Sequence, residues 1–345
     1  MLLTYLLSQS PDVLTVGPWS TLKELQDADL RKLAEALPKS VLQSKATSTT
    51  RKYLGAFKRW KMWAAAAEHQ LAVFPVEATH LALYLQHLGE SKASKSAVEE
   101  AVNGLAWVYS MAGIPSPTSS PFIQATFKEL KRTLAKPICK KSPFTVEMLQ
   151  AIVKDAKKSN TLTSLRLAAV CLISFAGFLW FDELANIQPC DLAIREDHLT
   201  IQIPHSKIDQ MHQRNEVIIA RTGSETCPVA MLGAYIQRGR IQMHSNQKLF
   251  RAIANGKCKK LRDTGGITYS RMRELLKKKL EELGFPSTDF SLHSLRAGEA
   301  TAVAAADVPD RVFKKHNRWR SETAKDGYVE DSFCKWLSVT QNLGL

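Results

Sequence analysis

One stretch restricts the architecture of this chain more than any other. Between residues 199 and 220, "LTIQI" and "EVIIA" alternate apolar and polar side chains on either side of a polar loop. That is the period-two pattern of two strands that each bury one face, and it reads as a β-hairpin. Elsewhere the apolar residues recur at helical spacing. The expected fold class is therefore mainly α: an all-helical N-terminal domain, then an α+β domain with one small antiparallel sheet.

The helical periods divide the chain. "TSTTRKYLGAFKRWKMWAAAAEH" sets Tyr53, Phe57, Trp60 and Ala64 on one stripe, after hydroxyls at Thr47 to Thr50 that are expected to cap the helix. Arg51, Lys52, Lys58, Arg59 and Lys61 gather away from the stripe, which makes a basic amphipathic helix. Three more helices follow: "ATHLALYLQHL"; "SAVEEAVNGLAWVYSMAG", with Ser96 and Glu99 as a capping box and Gly113 as its stop; and "SPFIQATFKELKRTLAK", with Pro121 in the first turn. They make a helical domain over 46–136, preceded by an N-terminal extension, 1–45, to which no chemistry attaches. "PICKKSPFT" carries Pro137, Pro143 and a lysine pair and marks a linker. The second domain, 143–345, is expected to open with helices Val146 to Lys157 and Leu162 to Trp180, and to end, after the hairpin and further helices, on "FCKWLSVTQNLGL".

At 345 residues and 45% apolar composition the chain can bury two real cores. Forty-seven Lys and Arg against 33 Asp and Glu leave a charge of +14, which favours a polyanionic partner. The six cysteines show neither a CxxC pair nor a Cys/His cluster, so no zinc site or disulfide framework is indicated and a reducing intracellular compartment fits. The apolar run Leu167 to Phe181 is too short to span a bilayer, and "MLLTYLL" lacks the basic start of a signal peptide, so no membrane association is expected.

The candidate chemistry lies in the second domain. His293 and Arg296 are three residues apart, which puts them on one helix face where a phosphate could sit between them. Small residues follow, Ala297, Gly298, Ala300 and Ala302, and allow close packing. Tyr328 ends a charged, turn-rich run, "NRWRSETAKDGY", so its hydroxyl is expected on an exposed or half-exposed segment. Lys207 sits just after the first hairpin strand, where a long side chain can reach over a groove. Taken singly, each has an ordinary explanation: a core histidine beside a surface arginine, a packing tyrosine, a loop lysine.

Together these residues resemble the tyrosine recombinases, the phage-integrase family, from roughly Ala46 to Leu345. The family signature is H-x-x-R, then a His or Trp nine residues before a nucleophilic Tyr, and this chain has "HSLR", then Trp319 and Tyr328, with Lys207 in the hairpin. The wording of "GFLWFDELANIQPCDL" and "ARTGSETCPV" is similar to integrase-like proteins of eukaryotic mobile elements of the Crypton or DIRS type. The resemblance implies a SAM-like core-binding domain and a catalytic domain that close on double-stranded DNA. It implies strand cleavage and rejoining through a 3′-phosphotyrosyl bond, with neither cofactor nor metal. Tyr328 would be the nucleophile, Arg296 and His293 would hold the phosphate, Trp319 would pack and donate its indole N–H, and Lys207 would protonate the departing 5′ oxygen. Arg51, Lys52, Lys58, Arg59, Lys61, Arg318 and Arg320 are the expected DNA contacts. A homo-tetramer on DNA and a location with DNA, nuclear in a eukaryote, are consistent with it.

One position departs from the pattern. Where the family reads G-L-R-x-x-E-L, this chain reads "GFLWFDEL", and Trp180 stands in place of the first catalytic arginine. Arg166 lies some four turns upstream and Arg195 beyond the turn, so no neighbouring arginine slides into register. Impaired cleavage is one consequence, and a DNA-binding protein that no longer cuts is the alternative. A third reading, a type IB topoisomerase, shares the chemistry but relaxes supercoils without a partner site; the N-terminal helices, which resemble an integrase core-binding domain, weigh against it.

Overall fold

The computed structural model describes residues 11–137, 140–203, 215–254, 259–306 and 308–319, together with Tyr328, Val329, Leu337 and Gln341. The chain divides between Ile138 and Cys139 into two compact units.

The first unit contains α1 (Pro18–Leu22), α2 (Ala28–Gln43), α3 (Thr47–Ala64), α4 (Ala78–Glu90), α5 (Lys95–Ala112) and α6 (Pro121–Thr133). The stripe on α3 points inward: Phe57, Trp60 and Ala64 are buried with Leu81 and Leu85 of α4, Val102 and Leu105 of α5, and Ile123 of α6. A Cβ on Gly104 would lie 2.9 Å from that of Ala56, so glycine is what lets α5 cross α3 so closely. Residues 11–45 contribute Val13, Trp19 and Leu42 to the buried set, and the Trp19 indole donates to the Met111 carbonyl at 2.6 Å. Two caps differ from expectation. Ala46 is the N-cap of α3, and the threonines fall inside its first turn, where Thr50 Oγ1 bonds back to the Ala46 carbonyl. Ser94, not Ser96, caps α5, accepting from the Ala97 N–H at 3.2 Å, because nothing between the two serines stops the helix from running back to the earlier one. Gly113 ends α5 at φ 67°, in the left-handed region glycine favours.

The second unit contains α7 (Val146–Ser159), α8 (Leu162–Ala176), α9 (Phe181–Asn186), α10 (Pro228–Gly239), α11 (Tyr269–Glu282), α12 (Leu292–Ala305) and α13 (Asp310–Asn317). Its first sheet orders β1 (Leu192–Ile194), β2 (His198–Ile203) and β3 (Asn215–Ala220), all antiparallel. The register sets Leu199 opposite Ile219 and Ile201 opposite Val217, so the alternating pattern turns all four into the core around α8. The expected hairpin is therefore present, with β1 added at its edge. A second ribbon, β4 (Arg251–Ile253) with β5 (Leu261–Gly266), corrects the expectation of a single sheet. "LRDTGG" shows no alternation, because most of that strand is exposed. Among the described residues no helix is long and apolar enough to cross a membrane. The expected C-terminal helix falls mostly outside the described residues, as does the hairpin loop.

Candidate active site

The site begins where α8 stops. The sequence pattern carries this helix to Trp180, but it ends at Ala176 with Gly177 as its C-cap; a Cβ there would meet the Ile173 carbonyl at 3.0 Å and side chains of Val217 and Ile219 at 3.2 Å, so glycine lets the turn lie close against the sheet. Phe178 follows with φ 48°, a left-handed conformation that costs a bulky L residue about 1 kcal/mol or more. Its ring is fully buried among Ala300, Phe313, Trp319 and Tyr328, and its carbonyl turns into the site. Trp180 then caps α9, and Glu183, in the first turn of α9, accepts from the Trp180 N–H at 3.0 Å.

Helix α12 brings His293, Arg296 and Glu299. It is held by backbone contact: Phe144 donates its N–H to the Ser294 carbonyl at 2.9 Å, and a Cβ on Gly298 would collide with the Phe144 carbonyl. Arg296 is 2% exposed and donates to the Phe178 carbonyl. Its guanidinium carbon lies 3.5 Å from the Phe178 ring centre, 4.5 Å from Trp180 and 5.3 Å from Tyr328, an aromatic cage open to cation–π attraction. Burial pulls the Arg296 pKa down to about 10, against the pull of the Tyr328 phenol, so it remains a cation at neutral pH. His293 meets the Trp180 ring edge-on at 5.1 Å.

The turn after α13 completes the cluster. Trp319 lies 4.9 Å from Phe178, 5.0 Å from Phe313 and, stacked, 6.0 Å from Tyr328. Tyr328 is half-buried and touches Phe178 and Trp180 edge-on, at 5.6 and 6.2 Å. Arg318, at φ 57°, ends α13 and turns inward. Its Nη2 donates to Glu183 Oε2 at 2.8 Å and to the Phe178 carbonyl at 3.2 Å. Arg318, expected among the DNA contacts, is thus no open surface cation: its side chain is 9% exposed and belongs to a buried ion pair. Beneath, Glu299 has its pKa pushed up to about 8 by burial, opposed by Arg296, and His316 Nε2 stands 3.8 Å from it and 2.9 Å from the Ala176 carbonyl.

The site has more donors than acceptors. Arg296 Nε, Arg318 Nη1 and the indole nitrogens of Trp180 and Trp319 are buried with no hydrogen-bond partner among the described residues. Two guanidiniums share one carbonyl oxygen, and Glu299 is largely neutral at pH 7, an arrangement that an incoming anion would complete. The opening is a cleft of about 90 Å³ whose lining includes Trp180, Phe181, Tyr269, His293 and Arg296, and also the exposed carboxylate of Asp182.

The fold thus assembles Trp180, His293, Arg296, Trp319 and Tyr328 from three separate stretches of sequence. Lys207 and Arg320 lie outside the described residues. On α3, Arg51, Lys52, Lys58 and Arg59 are exposed and Lys61 half-buried, but Lys52 and Arg59 are both paired with Glu100 of α5, at 3.8 and 3.0 Å. The Arg318–Glu183 pair was missed; the only sequence signal was the Glu of "FDEL", which needs a cation once buried.

No protein-family model matches the chain. An integrase/recombinase described as a XerD homolog, from Selenomonas ruminantium, is 24% identical over 335 residues, covering 96% of this chain and 95% of that protein. The structure of XerH site-specific recombinase bound to a palindromic difH substrate aligns at TM-score 0.59 with 14% identity, over 98% of this chain and 92% of that one. The integrase of transposon Tn1549 in complex with transposon right end DNA aligns at TM-score 0.56 with 14% identity, over 87% of this chain and 95% of that one. This chain has the tyrosine recombinase fold. Within that fold the aromatic and cationic cluster lies where the H-x-x-R helix, the Trp319 turn and Tyr328 meet, and Trp180 faces the cluster from the turn where the recombinase signature carries arginine.

Proposed function

We propose that this chain binds double-stranded DNA and breaks and rejoins one strand through Tyr328. The observation that carries the proposal is the convergence of the Tyr328 ring, the Arg296 guanidinium and the His293 ring around Trp180, beside unpartnered donors. A phosphodiester placed there receives the Tyr328 oxygen at phosphorus, and the bond to the 5′ oxygen breaks. Arg296 pairs with the non-bridging oxygens as charge builds on them, and His293 holds the phosphate and moves the phenol proton. Lys207 delivers a proton to the leaving 5′ oxygen. The phosphotyrosyl bond conserves the energy of the broken one, so attack by a 5′ hydroxyl reverses the step without a nucleotide. Pairwise exchange of strands on a homo-tetramer, as in integration or excision of a mobile element, belongs to the same proposal, and so does a location with DNA.

The test starts from a random duplex pool, from which a bound motif is recovered. A nicked duplex bearing that motif should then trap a covalent protein–DNA adduct that Tyr328→Phe abolishes while binding persists. An adduct that survives Tyr328→Phe would overturn the assignment of the nucleophile. A second reading, binding without cleavage, is favoured by Trp180 itself, whose ring covers Arg296 where a second cation is expected; motif binding with no adduct at any pH supports it.

A further inference from the structure

Away from the Tyr328 cluster, the second unit holds a cavity of about 580 Å³ between α8, the β4–β5 ribbon and α11. Arg166, Lys259, Arg262, Arg271 and Lys278 line it, and among the described residues no Asp or Glu does. Arg271 is paired with exposed Glu274 at 2.7 Å and Lys278 with Glu282 at 4.0 Å. Lys259 and Arg262 have no carboxylate partner among the described residues.

Arg166 is the decisive residue. It is 3% exposed, its Nη1 donates to the Arg251 carbonyl at 2.6 Å, and its Nε has no partner among the described residues. Arg251, 8% exposed, likewise leaves Nε unpartnered. A buried guanidinium is ordinarily neutralised by a carboxylate, because a charge left alone in a low dielectric is costly. Here burial lowers the Arg166 pKa, the Tyr235 phenol opposes that shift, and the neighbouring cation Arg271 adds to it. The 14-residue α11 also begins at this cavity, where its N-cap Thr268 is part of the lining, so the positive end of a helix dipole adds to the field.

We propose that this cavity is a binding site for a phosphate-bearing ligand with more than one negative charge, such as a di- or triphosphate. A monocarboxylate would neutralise one of five lining cations, whereas a phosphate chain meets several and suits the planar fork of arginine. The volume leaves room for more than a single phosphate. The same chemistry could be delivered by a free polyphosphate or by neighbouring backbone phosphates of DNA, and the two are separable.

Calorimetric titration of the full chain with pyrophosphate should show one saturable site. Lys259→Ala with Arg262→Ala should weaken it about ten- to a hundredfold, the loss expected for charge-assisted hydrogen bonds. Arg166→Met, which replaces the buried cation with an apolar chain of similar length, should weaken it as much, with an unchanged melting temperature showing that the variant is folded. Lys39→Ala, which removes one charge from an exposed position of α2 as Arg166→Met removes one from the cavity, should leave it unaffected. No saturable binding, or equal binding by the lining variants and Lys39→Ala, would overturn the proposal. Repeating the titration with duplex DNA present identifies the source: pyrophosphate that still binds marks a site for a free ligand. Pyrophosphate displaced by DNA, with duplex affinity reduced in the lining variants, marks a site for backbone phosphates.

Discussion

The Arg318 guanidinium donates to Glu183 Oε2 at 2.8 Å, although the two residues are 135 positions apart. Glu183 lies three residues after Trp180, in the turn where the recombinase signature places its first arginine. A cation therefore does reach this turn, but from the far end of the unit, and it shares the Phe178 carbonyl with Arg296.

Arg318→Gln should reduce covalent adduct by about 10- to 100-fold, because a preorganised charge next to Arg296 is removed. It should also lower the melting temperature, since Glu183 would stay buried without its ion-pair partner, a loss of about 3–5 kcal/mol for a broken buried pair. Adding Glu183→Gln should restore most of the stability. Adduct yield separates the roles: if it returns with stability, Arg318 acts only to neutralise Glu183, and if it stays low, the Arg318 charge itself supports the reaction.

Glu299 should make stability depend on pH in a definite direction. Its pKa is raised in the folded state from 4.5 to about 8, so the folded chain holds a proton that the unfolded chain releases. The contribution is complete below about pH 4.5 and is lost as pH rises through about 8. His316 is shifted the opposite way, below 6.5, by burial and by Arg318, which outweigh its Ala176 hydrogen bond; it is neutral in both states above that pH. Between pH 6.5 and 8.5 the parent should thus lose about 1–2 kcal/mol through Glu299. Glu299→Gln should flatten that slope and melt higher than the parent at pH 8.5; thermal unfolding of both proteins across the range is the measurement.

DNA affinity should fall steeply with salt, and the basic face of α3 should contribute unevenly. Lys52 and Arg59 already share Glu100, whereas Arg51 and Lys58 are exposed. Arg51→Glu and Lys58→Glu should weaken binding to all duplexes and reduce the salt slope by about one per lost phosphate contact. Arg59→Glu should additionally repel Glu100 and lower the melting temperature. Affinities that are flat between low and physiological salt would remove DNA as the partner.

Much of the fold could be read from the sequence because its signals are local. The α3 stripe and the β2–β3 alternation each place side chains on one face within a few residues, and both faces are buried as the patterns require. The HxxR pair and the Trp319–Tyr328 spacing are local patterns too, and the fold brings these four residues near Trp180 and Phe178. What escaped was non-local: Phe178 in a left-handed conformation, Gly177 capping α8 close against the sheet, and Arg318 turning inward to a carboxylate on another helix. A charged residue in a charged run looks solvent-exposed, and only the tertiary partner decides otherwise. The β4–β5 ribbon escaped because a mostly exposed strand needs no apolar alternation.

Trp180→Arg tests the departure in the signature directly. An arginine there would point its guanidinium at a phosphate held by Arg296 and His293, and should raise covalent-adduct yield by a factor on the order of 10². The same change removes the ring that lies 4.5 Å from the Arg296 guanidinium and 5.1 Å from the His293 ring, and it sets a third guanidinium beside Arg296 and Arg318. Stability without DNA should therefore fall, because like charges are crowded in a site with Glu183 as their paired carboxylate and Glu299 largely neutral. Bound duplex should recover much of that loss, since its phosphate supplies the missing counter-charge. Adduct yield, with melting temperature measured both with and without the recovered DNA motif, gives the outcome. A variant that folds, is stabilised by DNA and forms no more adduct than the parent would show that a cation at position 180 is not what limits cleavage, and would favour the reading of this chain as a protein that binds DNA without cutting it.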